Sequence, residues 1–397
     1  MAIPSIRTTA ICLAALVGAA PTTSAQEAGP LEARLQDLLD DAVASGATPG
    51  VMMRVEAPAL GVSYSGAEGV SEIATGTPLT PRNPVRIASN TKTFLAAATL
   101  RLWEEGRLGL DDPVARYLPE PVAEMLTADG YDLQAMMVRH LLTHTSGLYD
   151  YADRDRFVQA ILEDPYHRWT PEEQIGLAVA WGDPYGAPGA VYRYSDTGYV
   201  VLGLVLESAY GKPLAEILRE LLPLDRLGLR DTWLETLEDP PPGAAERAHQ
   251  YLGERDTYDW DPSLDLYGGG GLVSTADDMA TFLRALFSGG VYRDAATADT
   301  MLTTVSGAGP GPDLSGAPMV PGRYRMGIEV REQEGLTLYM HTGFWGTLAA
   351  YLPEPDVAIS IAVTQQQSRA LFRVFAGALD LLAAALTAEA AGASAGR

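Results

Sequence analysis

Strand-like segments in this 397-residue chain are confined to its two ends, and a long stretch of helix and loop from Pro81 to about Pro321 separates them. Alternating or continuous apolar runs read as strands at Gly50 to Val55 and Gly61 to Gly66, joined by a turn containing Pro58. They return at Arg323 to Val330, Leu336 to His341, Thr347 to Leu352 and Val357 to Thr364. Between them, apolar spacing and end signals predict helices over Thr91 to Glu105, Val138 to Leu142, Pro171 to Trp181, Thr197 to Tyr210 and Thr275 to Phe287. The two ends are therefore expected to form one antiparallel sheet in an α+β fold, covered by helices at Leu31 to Val43 and about Ser368 to Leu386. The insertion becomes a mostly helical subdomain. This places a sheet subdomain at about 31–80 and 321–386, a helical subdomain at about 81–320, and a cleft between them where remote segments converge. A flexible tail is expected over 387–397, where residues are small and polar-leaning.

The first 25 residues carry Arg7, the apolar run Ala10 to Ala20 and the small residues Thr23-Ser24-Ala25, the pattern of a secretory signal peptide cleaved after Ala25. The apolar run is too short to span a bilayer, so a periplasmic or secreted protein without stable membrane insertion is expected. The one cysteine, Cys12, lies inside that segment, which leaves residues 26–386 to hold together by packing without disulfides. A formal net charge of -23 argues against nucleic acid or anionic lipid as a partner, and leaves a small molecule or peptide as the expected one. No signal of oligomeric state, cofactor or metal stands out. Lysine occurs only at 92 and 212, against 26 arginines. Lys gives up a proton when desolvated and Arg effectively does not, so Lys92 hints at chemistry.

Ser89-Asn90-Thr91-Lys92 opens the helix Thr91 to Glu105, a spacing that puts residues 89 and 92 one turn apart on one face. A serine hydroxyl needs a base to become a nucleophile, and a helix start offers N–H groups to a developing oxyanion. Alone, the same four residues also read as a helix cap followed by a solvated lysine. Tyr194-Ser195-Asp196 precedes another helix, where a phenol can relay protons between nucleophile and leaving group. It reads equally as a half-buried tyrosine with Asp196 as the N-cap. His341-Thr342-Gly343 ends a strand and enters a tight turn, where Gly343 permits close approach of a substrate to the backbone, although a lone strand histidine is often structural.

In this order and on these elements, the pieces resemble the serine β-lactamase and D,D-peptidase superfamily, in particular its class C β-lactamase, esterase and D-aminopeptidase branch. His140-Leu141-Leu142-Thr143-His144-Thr145-Ser146-Gly147-Leu148 and the run from Gly269 to Met279 are similar to further signatures of that group, and the likeness spans about Leu31 to Leu386. It implies a β-lactamase/transpeptidase-like fold, Ser89 as the acyl-accepting nucleophile, and Lys92 with Tyr194 as base and proton relay. It further implies His341, Thr342 and Gly343 beside the substrate, and an oxyanion hole from the backbone N–H groups of Ser89 and Phe344. Two positions depart from the pattern. Asp196 stands where the family usually has Asn, and its carboxylate is expected to favour the ammonium form of Lys92 and to raise the Tyr194 pKa. His341 stands where many β-lactamases have Lys, which weakens recognition of a substrate carboxylate.

Three other motifs are set aside. Gly392-Ala393-Ser394-Ala395-Gly396 matches the nucleophile-elbow letters without a strand before them. His140 and His144 have zinc-helix spacing, but Leu141 stands where such a helix needs Glu, so a packed helix end with His144 hydrogen-bonded inside is expected. The glycines 268–271 lack a following Lys-Ser/Thr and suit a close backbone approach beside the cleft. The expected activity is hydrolysis of an ester or amide, such as a D-amino-acid peptide or small ester, through an acyl-enzyme on Ser89. The alternatives are a β-lactamase and a penicillin-binding sensor that acylates without turnover. Specificity is expected from cleft loops such as Tyr149 to Trp169 and from Trp345.

Overall fold

The computed structural model describes residues 30–395 apart from 153, 266, 311–321, 334 and 367. The expected export segment at 1–25 lies outside the described residues. The chain opens with α1 (Pro30–Ala44), then β1 (Gly50–Ala57), β2 (Val62–Glu72) and the short edge strand β3 (Thr77–Pro78). Its helical region contains α2 (Thr91–Glu104), α3 (Asp196–Tyr210) and α4 (Ala276–Phe287), among shorter helices. The chain then returns to β4 (Glu329–Gln333), β5 (Leu336–Gly343), β6 (Thr347–Leu352) and β7 (Val357–Val363), and finishes in α5 (Arg369–Ala395).

One seven-stranded sheet runs in the order β4-β5-β6-β7-β1-β2-β3, with every neighbouring pair antiparallel. The ends of the chain meet in the β7–β1 pair, where Val51 lies opposite Val363. Alternation sorts the strand residues onto two faces. Val51, Met53, Val55, Leu348, Ile359 and Ile361 bury themselves under α1 and α5. Met52, Ala349, Tyr351, Ala358 and Ala362 join a second apolar cluster that continues through α2, α3 and α4. Each such Val, Leu, Ile or Met contributes about 1.5–3 kcal/mol by leaving water, so a shared cluster of this size couples the sheet to the helical region.

Two expectations need correcting. Arg323 to Ile328 is not strand: the chain turns there and begins β4 only at Glu329, which sets Tyr324 inside the fold. The final helix does not stop at Leu386 but runs to Ala395, because alanine, read as a tail-former, is the best helix former. Residues 392–395 continue that helix, so the elbow-like letters sit on no strand-to-helix turn. The stretch Arg369–Ala391 is long and apolar enough to cross a membrane, yet Ala370, Leu371, Val374, Phe375, Leu379 and Leu382 pack on the sheet as a core face.

Candidate active site

Ser89 sits in a single 3₁₀ turn, Ala88–Asn90, between the short strand Val85–Arg86 and α2. Ala88, fully buried, is held at φ 48°, a left-handed conformation that L-residues with a Cβ avoid. The turn is pinned from two sides. Thr347 Oγ1 donates to Ile87 O at 2.9 Å and accepts from Asn90 Nδ2 at 2.9 Å. Gly343, at the end of β5, comes so near that an added Cβ would lie 2.2 Å from Ile87 O. Only glycine lets that strand end lie against the Ser89 turn. Among the described residues, no turn or loop backbone bond engages the Ser89 or Phe344 N–H.

Lys92 is completely buried, and its Nζ donates to Ser89 Oγ at 2.9 Å, to Asp196 Oδ1 at 2.5 Å and to Gly269 O at 2.5 Å. An ammonium has three protons and here three acceptors, so the charged form is fully satisfied. The glycine run supplies the third acceptor: Gly268 has φ +91° and packs on the Tyr199 backbone where a Cβ would stand 2.6 Å from Tyr199 O. This is the close approach expected beside the cleft. The Tyr194 ring centroid lies 5.1 Å from Lys92 Nζ, and its phenol neighbours the Ser89 side chain. Burial first, then the Asp196 carboxylate, raises the Tyr194 pKa well above that of a free phenol. Ser89, Lys92, Tyr194 and Asp196 are thus brought together from two helix starts. The N-cap of α3 is Ser195, whose Oγ accepts from Gly198 N, which leaves Asp196 in the first turn free to face Lys92.

His341 is placed differently from the other expected site residues. It lies on the helix-facing side of β5, 4% exposed, with Nδ1 2.8 Å from Thr342 O and Nε2 3.0 Å from Tyr324 Oη. The network makes Nδ1 the donor and Nε2 the acceptor from the phenol. Burial, helped by the Lys92 charge, pushes its pKa down to about 3. With both nitrogens engaged and the ring neutral, His341 shapes the strand end rather than exchanging protons with Ser89. Thr342 and Gly343 are partly buried, while the Phe344 ring is 43% exposed and meets Trp345 edge-on at 4.9 Å. Trp345 itself is core, 1% exposed, so the residue available to a substrate on this turn is Phe344.

Several neighbours carried no signal in the sequence. Asp150 accepts the backbone N–H of Asp196 at 3.0 Å and of Ala152 at 3.2 Å, and its carboxyl is pushed up to about 8 by burial and by Asp196. Asp265, behind the glycine run, is pushed up to about 6 by burial against the opposing pull of Lys92. On the other side, the rings of His144, Tyr199 and Tyr324 pack around Tyr194 and His341. His140 Nδ1 accepts from Met137 N at 3.1 Å and His144 Nδ1 from Ser195 N at 3.2 Å, so both serve the backbone. No cluster of three or more metal-ligating side chains is present among the described residues.

A family model described as Beta-lactamase matches residues 35–384. Among curated proteins, the chain is 29% identical over 325 residues to esterase EstB of Burkholderia gladioli, covering 73% of this chain and 78% of that protein. It is also 29% identical over 221 residues to the D-alanyl-D-alanine-carboxypeptidase/endopeptidase AmpH of Escherichia coli (strain K12), over 56% of this chain and 53% of the relative. Here, as with penicillin-binding protein 4* of Bacillus subtilis, of which 50% is matched, the chain spans about half the relative's length. Among solved structures, a D-amino acid amidase from Ochrobactrum anthropi SV3 superposes with a TM-score of 0.73 at 25% identity, over 89% of this chain and 99% of the other. A D-stereospecific amidohydrolase from Streptomyces sp. gives a TM-score of 0.71 at 27% identity, over 87% and 97%. The match over nearly the whole described chain, on a fold shared with these hydrolases, means that the chain belongs to the Beta-lactamase family.

Proposed function

We propose that the protein hydrolyses esters or amides through an acyl-enzyme on Ser89, with uncharged or amine-bearing acyl groups, such as small esters or D-amino-acid amides, as substrates. One observation carries the reading: the Ser89 hydroxyl accepts from the buried Lys92 ammonium and neighbours the Tyr194 phenol, at a strained turn. Ser89 Oγ attacks the carbonyl carbon while the Ser89 and Phe344 N–H groups receive the oxyanion. The Ser89 proton passes to Tyr194 Oη as the phenol's own proton moves to the departing alcohol or amine, whose bond to the acyl carbon then breaks. Water repeats the sequence in reverse roles and releases the acid. Lys92 keeps its three protons throughout and holds the serine oxygen in place, while Asp196 balances its charge.

The substrate class follows from His341. A neutral, buried imidazole offers no cation to a substrate carboxylate, which favours the esterase and amidase relatives over β-lactam or D-alanyl carboxylate recognition. Export to a periplasmic or extracellular space, through residues 1–25, is part of the same proposal.

The test is turnover of a chromogenic acetate ester, D-phenylalanine amide and nitrocefin, with fluorophosphonate labelling and peptide mapping. Ester or amide turnover with a label on Ser89, lost in Ser89→Ala by about 10³-fold or more, is the expected result. One equivalent of product without steady turnover would instead identify a sensor, and nitrocefin as the best substrate would identify a β-lactamase.

A further inference from the structure

His144 was set apart from the chemistry in the sequence because its partner at i−4 suggested at most a metal. Its surroundings are more specific than a packed helix end requires. His144 O accepts the N–H of Arg193 at 2.9 Å, and His144 Nδ1 accepts the N–H of Ser195 at 3.2 Å. The backbone on both sides of Tyr194 therefore hangs from this one residue. The imidazole centroid is 4.1 Å from that of the Tyr194 ring, tilted by 34°. His144 is 1% exposed and has φ 55°, so its own backbone is held in the left-handed region to bring carbonyl and ring to the same stretch of chain.

We propose that His144 is the positioning residue of Tyr194: it clamps the two flanking peptide groups and the phenol ring so that the hydroxyl stays on Ser89. The proposal rests on the acyl-enzyme reading above. Because Nδ1 accepts, the proton resides on Nε2, which has no hydrogen-bond partner among the described residues, while the imidazole centroid lies 4.4 Å from that of Tyr324 and 5.1 Å from that of Tyr199. Burial first, then the charge of Lys92, keeps the imidazole neutral, so the clamp does not open with protonation in the neutral range. No bond joins His144 to Ser89, and its effect passes through Tyr194. Proton relay depends on placement within fractions of an ångström, so loosening one clamp is felt in the chemical step rather than in substrate binding.

Asparagine separates this role from a general need for packing. It tolerates the left-handed conformation, and its Oδ1 falls near the position of Nδ1, whereas leucine fills space with no acceptor. With a chromogenic ester, His144→Leu is expected to lower kcat by about 10²-fold with KM within about threefold, and His144→Asn to recover at least about tenfold of that loss. Combining His144→Leu with Tyr194→Phe is expected to be no more than about twofold slower than Tyr194→Phe alone, because the clamp has then nothing to place. An asparagine variant as slow as the leucine one, or a double variant a further tenfold below Tyr194→Phe, overturns the proposal while the Ser89 chemistry stands. Absence of Ser89-dependent turnover in the unmodified protein overturns the hydrolase reading and this proposal with it. Should His144→Leu not fold, His144→Gln replaces it: its amide reaches the Nε2 position, so Gln slow and Asn active supports the clamp, and equal rates refute it.

Discussion

Tyr194 stands between two buried clusters that use burial in opposite ways. On one side, Lys92, Asp196, Asp150 and Asp265 form a charged cluster in which one ammonium faces three carboxyl groups, and burial pushes Asp150 and Asp265 up to about 8 and about 6. On the other, His144, His341, Tyr199 and Tyr324 form an aromatic cluster in which burial pushes both imidazoles down and every ring stays neutral. Lys92 acts on both, lowering the carboxyl and the imidazole pKa values alike. The lesson is that burial sets protonation on both sides, with Lys92 pulling down the pKa of each carboxyl and imidazole it reaches, while the aromatic side supplies shape that does not change with pH in the neutral range.

Removing that cation is the most severe way to break the contrast. Lys92→Met leaves Asp196 without its partner beside Asp150 and Asp265, and because the Asp196 side chain is partly exposed, breaking the pair costs less than the fully buried case, about 1–3 kcal/mol. Ester turnover is expected to fall by about 10³-fold or more, since the serine loses the donor that holds it. Urea unfolding and steady-state kinetics on the one variant check both numbers. A methionine variant of ordinary stability and near-normal turnover would mean that the ammonium organises neither side.

Asp196→Asn sharpens the contrast instead of destroying it. The amide still accepts from Lys92, but the negative charge that raises Tyr194 is gone, so the phenol ionises more readily. The pH–rate profile is expected to move toward lower pH by about one unit, with His341 and His144 unaffected in their neutral state. A profile that stays where it was would show that Asp196 does not govern Tyr194 and that the concerted relay is wrong.

How much of this was legible in the sequence follows the same divide. The sheet could be read because short apolar, β-rich runs such as Val51–Val55 and Thr347–Leu352 lie between turns, and Ser89 with Lys92 could be read because a helix start fixes their common face. Asp196 could be recognised as an odd residue at its place. His341 misled because the strand gives its position but not what covers it: Tyr324 comes from a segment that reads as strand and folds as a turn. Asp150 and Asp265 carried no signal, since nothing local tells that the segments packed around them, the glycine run among them, bury them. His144 was legible as an internal hydrogen-bonding residue, but its left-handed φ and its two bonds around Tyr194 exist only once the chain 50 residues later has returned.

The smallest expected effect tests whether the acidic side truly holds an extra proton. Asp150 titrates near 8 in the folded protein and near an ordinary carboxyl value of about 4 when unfolded, so between those limits the folded state binds the more protons. Stability from this group is therefore full below about pH 4 and is lost as pH rises toward 8. His341, held near 3 when folded and titrating near 6.5 when unfolded, works in the other direction: its contribution is full above about 6.5 and is lost as pH falls toward 3. Asp150→Asn keeps an oxygen for the Asp196 and Ala152 N–H groups and removes only the proton exchange. Between pH 6 and 8 the thermal midpoint of the unmodified protein should then decline relative to the variant by at most about 2 °C per pH unit, while below pH 6 the His341 slope persists in both. Parallel curves across the whole range would mean that Asp150 is ionised beside Asp196 after all, and that Lys92 balances two carboxylates rather than one.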